Sequence, residues 1–144
     1  MPKDGPDFKD AELTLRLYEL RREAVMRESR LTVIFKFWPK SYEDFIAITK
    51  PDDARNAAFR QVSSYWEMCY GMAKHGIAHP DYLIENNGEG LFLYAKVLPY
   101  LERFRKEASP TAFQNAEWIS KNCEEGKRRF EMIQSRVKKM LESK

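Results

Sequence analysis

His75 and His79 are the only histidines in the chain, and they stand four residues apart. On a helix that spacing turns both imidazoles to one face, where a carboxylate could complete a metal site. Asp81, Glu85, Glu67 and Glu89 are near enough in sequence to supply it. Gly76 and Pro80 argue against a helix at that point, and the chain has no HExxH pattern. We therefore expect solvated turn histidines and no bound metal.

Asn86-Asn87-Gly88-Glu89-Gly90 is the most polar stretch between apolar runs. Glycines that lead into a helix can aim backbone N–H groups at an anion. The dinucleotide pattern fails at Leu93, no strand pattern precedes the glycines, and there is no P-loop lysine. The expectation is a helix break or a buried polar network. In the buried version, Asn86, Asn87 and Glu89 bond to Glu67, Tyr70 or a histidine, because each unpaired buried group costs roughly 1–3 kcal/mol. The ligand-binding candidates are Glu67, His75, His79, Asn86, Asn87 and Glu89.

No catalytic residue emerges. Cys69 and Cys123 fall on apolar faces, where cysteine behaves as a small hydrophobe. A reactive cysteine needs an electropositive, partly exposed setting, and His75 lies off the helical face of Cys69. Serine-nucleophile patterns such as GxSxG and SxxK are absent. The acid pairs Glu43-Asp44 and Asp52-Asp53 sit at expected helix starts, where the helix dipole accounts for them. Phe35, Phe37, Trp38, Tyr42 and Phe45 interleave with Lys36 and Lys40, an arrangement that can stack single-stranded nucleic acid. Around a proline in a small helical chain it reads instead as core and lid. We expect no enzyme, no cofactor and no nucleic-acid partner.

These residues have to be held by helices. Leu13, Leu17, Leu20, Ala24 and Leu31 repeat at helical spacing, with Tyr18 and Val25 beside them. Leu31 to Trp38 reads as a helix end and an apolar connector, stopped before Pro39. Ser41 caps a short helix to Ile48, closed by Lys50-Pro51. Asp52 or Asp53 caps the next, whose face is Phe59, Val62, Trp66, Cys69 and Ala73, and which ends near Gly76. Pro80 opens another helix at its first turn. The stripe Leu83, Asn87, Leu91, Tyr94, Leu98, Leu101 follows, and Pro99 should kink it.

Ser109-Pro110 reads as an N-cap followed by the first helical position. Ala112, Ala116, Ile119, Cys123, Gly126, Phe130, Ile133, Val137 and Met140 then alternate at spacings of four and three, an unbroken heptad. A continuous helix here would span about 50 Å at 1.5 Å per residue. The other helices cannot cover that length. Either the helix bends at Gly126 and folds back, with the first helix as its partner, or Phe130, Ile133, Val137, Met140 and Leu141 form an interface with a second chain.

Residues 55–119 carry a further pattern. Phe59-x-x-Val62-x-x-x-Trp66-Glu67, followed by Lys74-His75-Gly76-Ile77-x-x-x-Asp81-x-x-Ile84, resembles a family of uncharacterised helical bacterial domains, a domain of unknown function. Its members carry an apolar helix with a Glu, a short basic-Gly-Ile/Leu turn, an acidic residue and a second apolar helix. The resemblance implies a helical fold and brings no activity. Asn86–Gly90 lies outside it.

The bulk numbers agree with this outline. The chain has 144 residues, 43% hydrophobic and 33% charged, with 6 Gly and 7 Pro. That is one soluble domain's worth of core with few loops. No apolar run approaches the roughly 20 residues of a membrane span. The charged N-terminus has no signal-peptide pattern, and two cysteines make no disulfide framework, so a cytoplasmic location follows as an expectation. The net charge of +3 is too small to argue for nucleic acid. It is uneven: residues 127–144 hold seven basic side chains against Glu131 and Glu142.

The expectation is thus an all-α, single-domain bundle of five or six helices with a long C-terminal helix. Residues 1–6 form a disordered lead and 7–144 the domain. Its role is that of a non-enzymatic interaction module, a homodimer through the long helix. A small-ligand or anion-binding domain, with its site at Glu67 and Asn86–Gly90, is the alternative.

Overall fold

The computed structural model describes residues 4–144. The first three residues of the expected lead lie outside that range, and helix begins at Phe8, after Asp4 to Asp7. Eight α-helices follow, with one π-helical segment and no strand among the described residues. They are α1 (Phe8–Arg22), α2 (Ala24–Arg30), the π-segment (Leu31–Lys36), α3 (Tyr42–Ile48), α4 (Asn56–Lys74), α5 (Pro80–Asn86), α6 (Glu89–Glu107), α7 (Gln114–Asn122) and α8 (Glu124–Glu142). The helix count exceeds the expected five or six because the first and last expected helices are each broken in two.

The first break is at Glu23, whose extended ψ of 145° ends α1 while its carboxylate accepts from Met26 N and caps α2. The break rotates the apolar stripe. Leu17 is buried as expected, but Tyr18 and Leu20 of the same helix are exposed; after the break Met26 and Ser29 point inward, while Val25 and Leu31 are exposed. Leu20, expected in the core, is therefore outside it. The connector takes up a π-helix, which is more regular than the sequence suggested, and leads into extended backbone at Phe37.

Ser41 caps α3 through Asp44 N as expected. Neither Asp52 nor Asp53 caps α4. Asp53 instead accepts from Arg55 N and grips its guanidinium, and the turn delays helix to Asn56. The apolar face of α4 is buried along its whole length, from Phe59 to Ala73. This helix is central, in contact with α2, α5, α6 and α7. It closes at Gly76, whose φ of 75° is a conformation that glycine adopts without strain. α6 runs unbroken through Pro99, which sits on its exposed side.

The second break corrects the longest expected element. Pro110 to Phe113 form a turn, not a first helical turn, and Phe113 adopts a left-handed φ of 59° before α7 starts at Gln114. That backbone places the Phe113 ring in the core between Phe59 and Tyr94. Extended backbone at Cys123 then ends α7, three residues before the expected bend. Gly126 explains why the fold-back fits. A Cβ at that position would lie 2.0 Å from the Ile119 carbonyl oxygen. The stripe still faces inward: Ala116, Ile119, Cys123, Gly126 and Val137 are buried, and Phe130, Ile133, Met140 and Leu141 are half-buried. α8 lies against α5, α6 and α7, so the partner expected of it, the first helix, is not the one it covers.

Candidate functional site

The six ligand-binding candidates do not converge. Glu67 projects from α4 to the start of α7. Its two carboxylate oxygens accept from Asn115 N at 2.9 Å and Ala116 N at 2.8 Å, while Asn115 Nδ2 donates to the Glu67 carbonyl oxygen. It is the N-cap of α7, supplied from another helix, at an end where no local side chain caps. Burial raises its carboxyl above the ordinary value, against the pull of those two donors.

His75 is exposed at the end of α4. His79 caps α5: its Nδ1 accepts from Tyr82 N at 3.2 Å, while its own backbone N donates to the buried Asp10 at 2.9 Å. Asn86 Nδ2 donates to the Tyr82 carbonyl oxygen on the surface. Asn87 is buried at the break between α5 and α6. Its Nδ2 donates to Leu83 O, and its carbonyl accepts the Tyr70 hydroxyl at 2.8 Å. The expected buried network is therefore one Asn–Tyr contact. Glu89 turns away from it and takes the Arg30 guanidinium in a bidentate pair at 2.7 and 2.6 Å. Gly90 is required where α6 starts against α4, since a Cβ there would meet Tyr70 and Trp66 inside 3 Å. Among the described residues no cluster of three His, Cys, Asp or Glu could hold a metal ion.

The cysteines are buried and unpaired. Burial pushes the Cys69 thiol up to about 12 and Cys123 to about 11, which keeps both protonated at neutral pH. A cleft of about 800 Å³ lies between α4 and residues 109–115. Several of its polar groups are engaged within the chain: Ser63 Oγ donates to Phe59 O, Arg60 Nε to Asn56 Oδ1, and Glu67 caps α7.

Two features escaped the sequence reading. The first is Lys96, wholly buried in α6. Its ammonium donates to the carbonyl oxygens of Val33, Ile34 and Phe37 at 2.9, 2.8 and 2.5 Å. All three ammonium protons are thereby used on carbonyls around the end of the π-segment. The rings of Trp38, Phe92 and Phe37 surround it, with centroids at 4.6, 5.4 and 5.6 Å. Desolvation, with Lys144 nearby, pushes its pKa down to about 7. The signal was available: Lys96 is the one charge in the apolar run Leu91 to Leu98.

The second is a groove of about 320 Å³. Ile34 and Phe35 of the π-segment form one wall, Gly88, Glu89 and Phe92 of α6 the floor, and Arg129, Met132, Ile133 and Arg136 of α8 the other wall. Phe35 is 57% exposed and Met132 51%. Lys96 fixes the first wall by pinning the π-segment to α6. Of the expected interface residues, only Ile133 lines this groove; Phe130, Val137, Met140 and Leu141 turn into the chain or sit half-covered beside it.

With this geometry in hand, similarity to known proteins can be placed on it. A family model described as Domain of unknown function (DUF4760) matches residues 6–123. The chain belongs to this family. The DUF4760 region ends at Cys123, where α7 gives way to α8. It holds the central α4, every Glu67 contact, Lys96 and the groove floor, while the α8 wall lies beyond the match. No curated protein matches the chain, and no solved structure does. Among the described residues no helix is long and apolar enough to cross a membrane.

Proposed function

We propose that this DUF4760 chain is a non-enzymatic protein-interaction module whose docking face is the groove between the π-segment, α6 and α8. One observation carries the reading: Phe35 and Met132 stand more than half exposed over a groove whose apolar lining includes Ile34, Phe92 and Ile133. Exposed apolar surface gathered in a groove, not scattered singly, is the mark of a contact site.

The polar side chains a small-ligand site would need are spread over the fold and occupied by it. Glu67 and His79 cap helices, the buried Asn87 Nδ2 donates to Leu83 O, and Glu89 holds Arg30. This weighs against the alternative site at Glu67 and Asn86–Gly90. Self-association through α8 is a narrower form of the proposal. Its stripe now serves the chain's own core, and what α8 leaves outside includes Arg129, Arg136 and Lys139. Two-fold pairing of that face sets like charges near one another. We therefore assign the groove to a different protein.

Native mass spectrometry over a concentration series tests this. The expected result is a monomer with no added mass. A dimer that dissociates in Met132→Lys transfers the face to a second copy. A stoichiometric small adduct retained through purification overturns the module reading in favour of a ligand-binding domain.

A further inference from the structure

The outer side of α8 carries a pattern distinct from the inward heptad. Arg129, Met132, Arg136 and Lys139 recur at spacings of three, four and three, which sets them on one face. Arg129, Met132 and Arg136 line the groove, and Lys139 continues the row about one turn past it. Arg129 shares Glu125 at 3.0 Å and is half-buried, whereas Arg136 and Lys139 are exposed and enter no ion pair among the described residues. The groove thus pairs an apolar trough with exposed cations on its α8 side, where Glu131 lies beside them. Its opposite wall is apolar, with Phe35 at its edge. Near the floor, the carboxylate of Glu89 is already neutralised by Arg30, so it does not cancel that field.

We propose that the groove binds an acidic amphipathic helix of another protein, its apolar side between Phe35 and Met132 and its carboxylates on Arg136 and Lys139. This rests on the interaction-module reading and names the partner's chemistry. Arg136 and Lys139 are about one helical turn apart, so the partner carries acids about one turn apart, beside apolar residues at helical spacing. An anionic bilayer or a nucleic-acid backbone would meet the same cations, but a flat or stiff polyanion does not enter an apolar trough below the rim. Rim charge of this kind acts through association rate and salt dependence, while the trough supplies retention.

The test is a display selection of random peptides of about 16 residues against the full chain. The selected peptides are then measured on wild type, Arg136→Glu and Met132→Lys by fluorescence anisotropy. Both substitutions are at exposed positions, and circular dichroism checks their folding. The inference expects selected sequences with acids flanking an apolar helical face. It expects roughly tenfold weaker binding to Arg136→Glu, loss on Met132→Lys, and weakening of wild type with salt. Peptides that require Met132 but carry no acids, and that ignore Arg136→Glu, overturn the acidic class and leave the module reading standing. If no selected peptide depends on Met132, both fall. Arg136-dependent binding to vesicles of mixed neutral and anionic lipid, with no groove-dependent peptide, assigns the cations to a membrane surface and also overturns the proposal.

Discussion

α4 and α8 have the same length, nineteen residues each, and opposite relations to the rest of the molecule. α4 is enclosed. It buries seven residues, and its one conspicuous acid, Glu67, is spent on holding α7. α8 is applied to the outside. It buries only Gly126 and Val137 and leaves Arg136 and Lys139 in solvent. The contrast teaches where to look for function in a helical chain without a catalytic constellation. A polar residue on an enclosed helix is generally engaged by the fold, whereas one on an applied helix is free to meet something else. Glu67 has the sequence look of a site residue and the bonds of a cap.

The comparison can be broken or sharpened by substitution. The largest effect is expected at the joint that applies α8 to the core. Gly126→Val should cost about 3 kcal/mol in urea unfolding, because its side chain runs into the Ile119 carbonyl and the Cys123 sulfur. An unchanged midpoint would mean that α8 is held by its stripe alone. Next comes Glu67→Ala, which leaves two backbone donors of α7 uncapped, at about 2 kcal/mol. Glu131→Ala, exposed on α8, should fall within about 0.5 kcal/mol. Equal costs would dissolve the distinction between the two helices.

Lys96 gives a third comparison, read as a slope. The unfolded chain keeps this proton up to about 10.5, whereas the folded chain releases it near 7. Across that window the unfolded state binds more protons, so this lysine makes stability rise with pH. Tyr65 and the two thiols, all raised by burial, act in the opposite sense at the alkaline end. The difference between wild type and Lys96→Met isolates the lysine, and it should reach up to about 1 kcal/mol per pH unit between pH 7 and 10. No difference in slope would mean that the three carbonyls and the rings hold the charge fully. The smallest effect is at the groove. Met132→Lys and Phe35→Ser should each change stability by less than about 0.5 kcal/mol while removing the docking surface. A large loss of stability there would make the groove part of the core.

The helical class, the apolar face of α4, the Ser41 cap and the Pro80 start were all legible, because each follows from local spacing or local capping chemistry. The heptad marked the inward face of α7 and α8, with Ala116, Ile119, Cys123, Gly126 and Val137 buried and its other positions half-buried, but it missed the buried Ser120. It said nothing of continuity, since a stripe stays inward whether the helix runs on or folds back. The decisive contacts at Cys123 and Gly126 join residues whose fit depends on the fold. The site reading failed for a related reason. Glu67, His79 and Asn87 are polar residues near apolar runs, and a sequence does not distinguish an acid awaiting a ligand from one that meets a backbone N–H 48 residues on. Lys96 was missed although its isolation in an apolar run marked it. Its acceptors are backbone carbonyls, which no side-chain pattern reveals.

The caps that cross between helices share a direction. Asp10 receives the backbone N of His79 at the start of α5, Glu67 receives the start of α7, and Asp81 receives Glu125 N at the start of α8. In each pair the carboxylate precedes the helix it holds. A chain made from its N-terminus therefore exposes every receptor before the segment that needs it. During synthesis each of these later helices can dock as it emerges, without waiting for sequence still inside the ribosome.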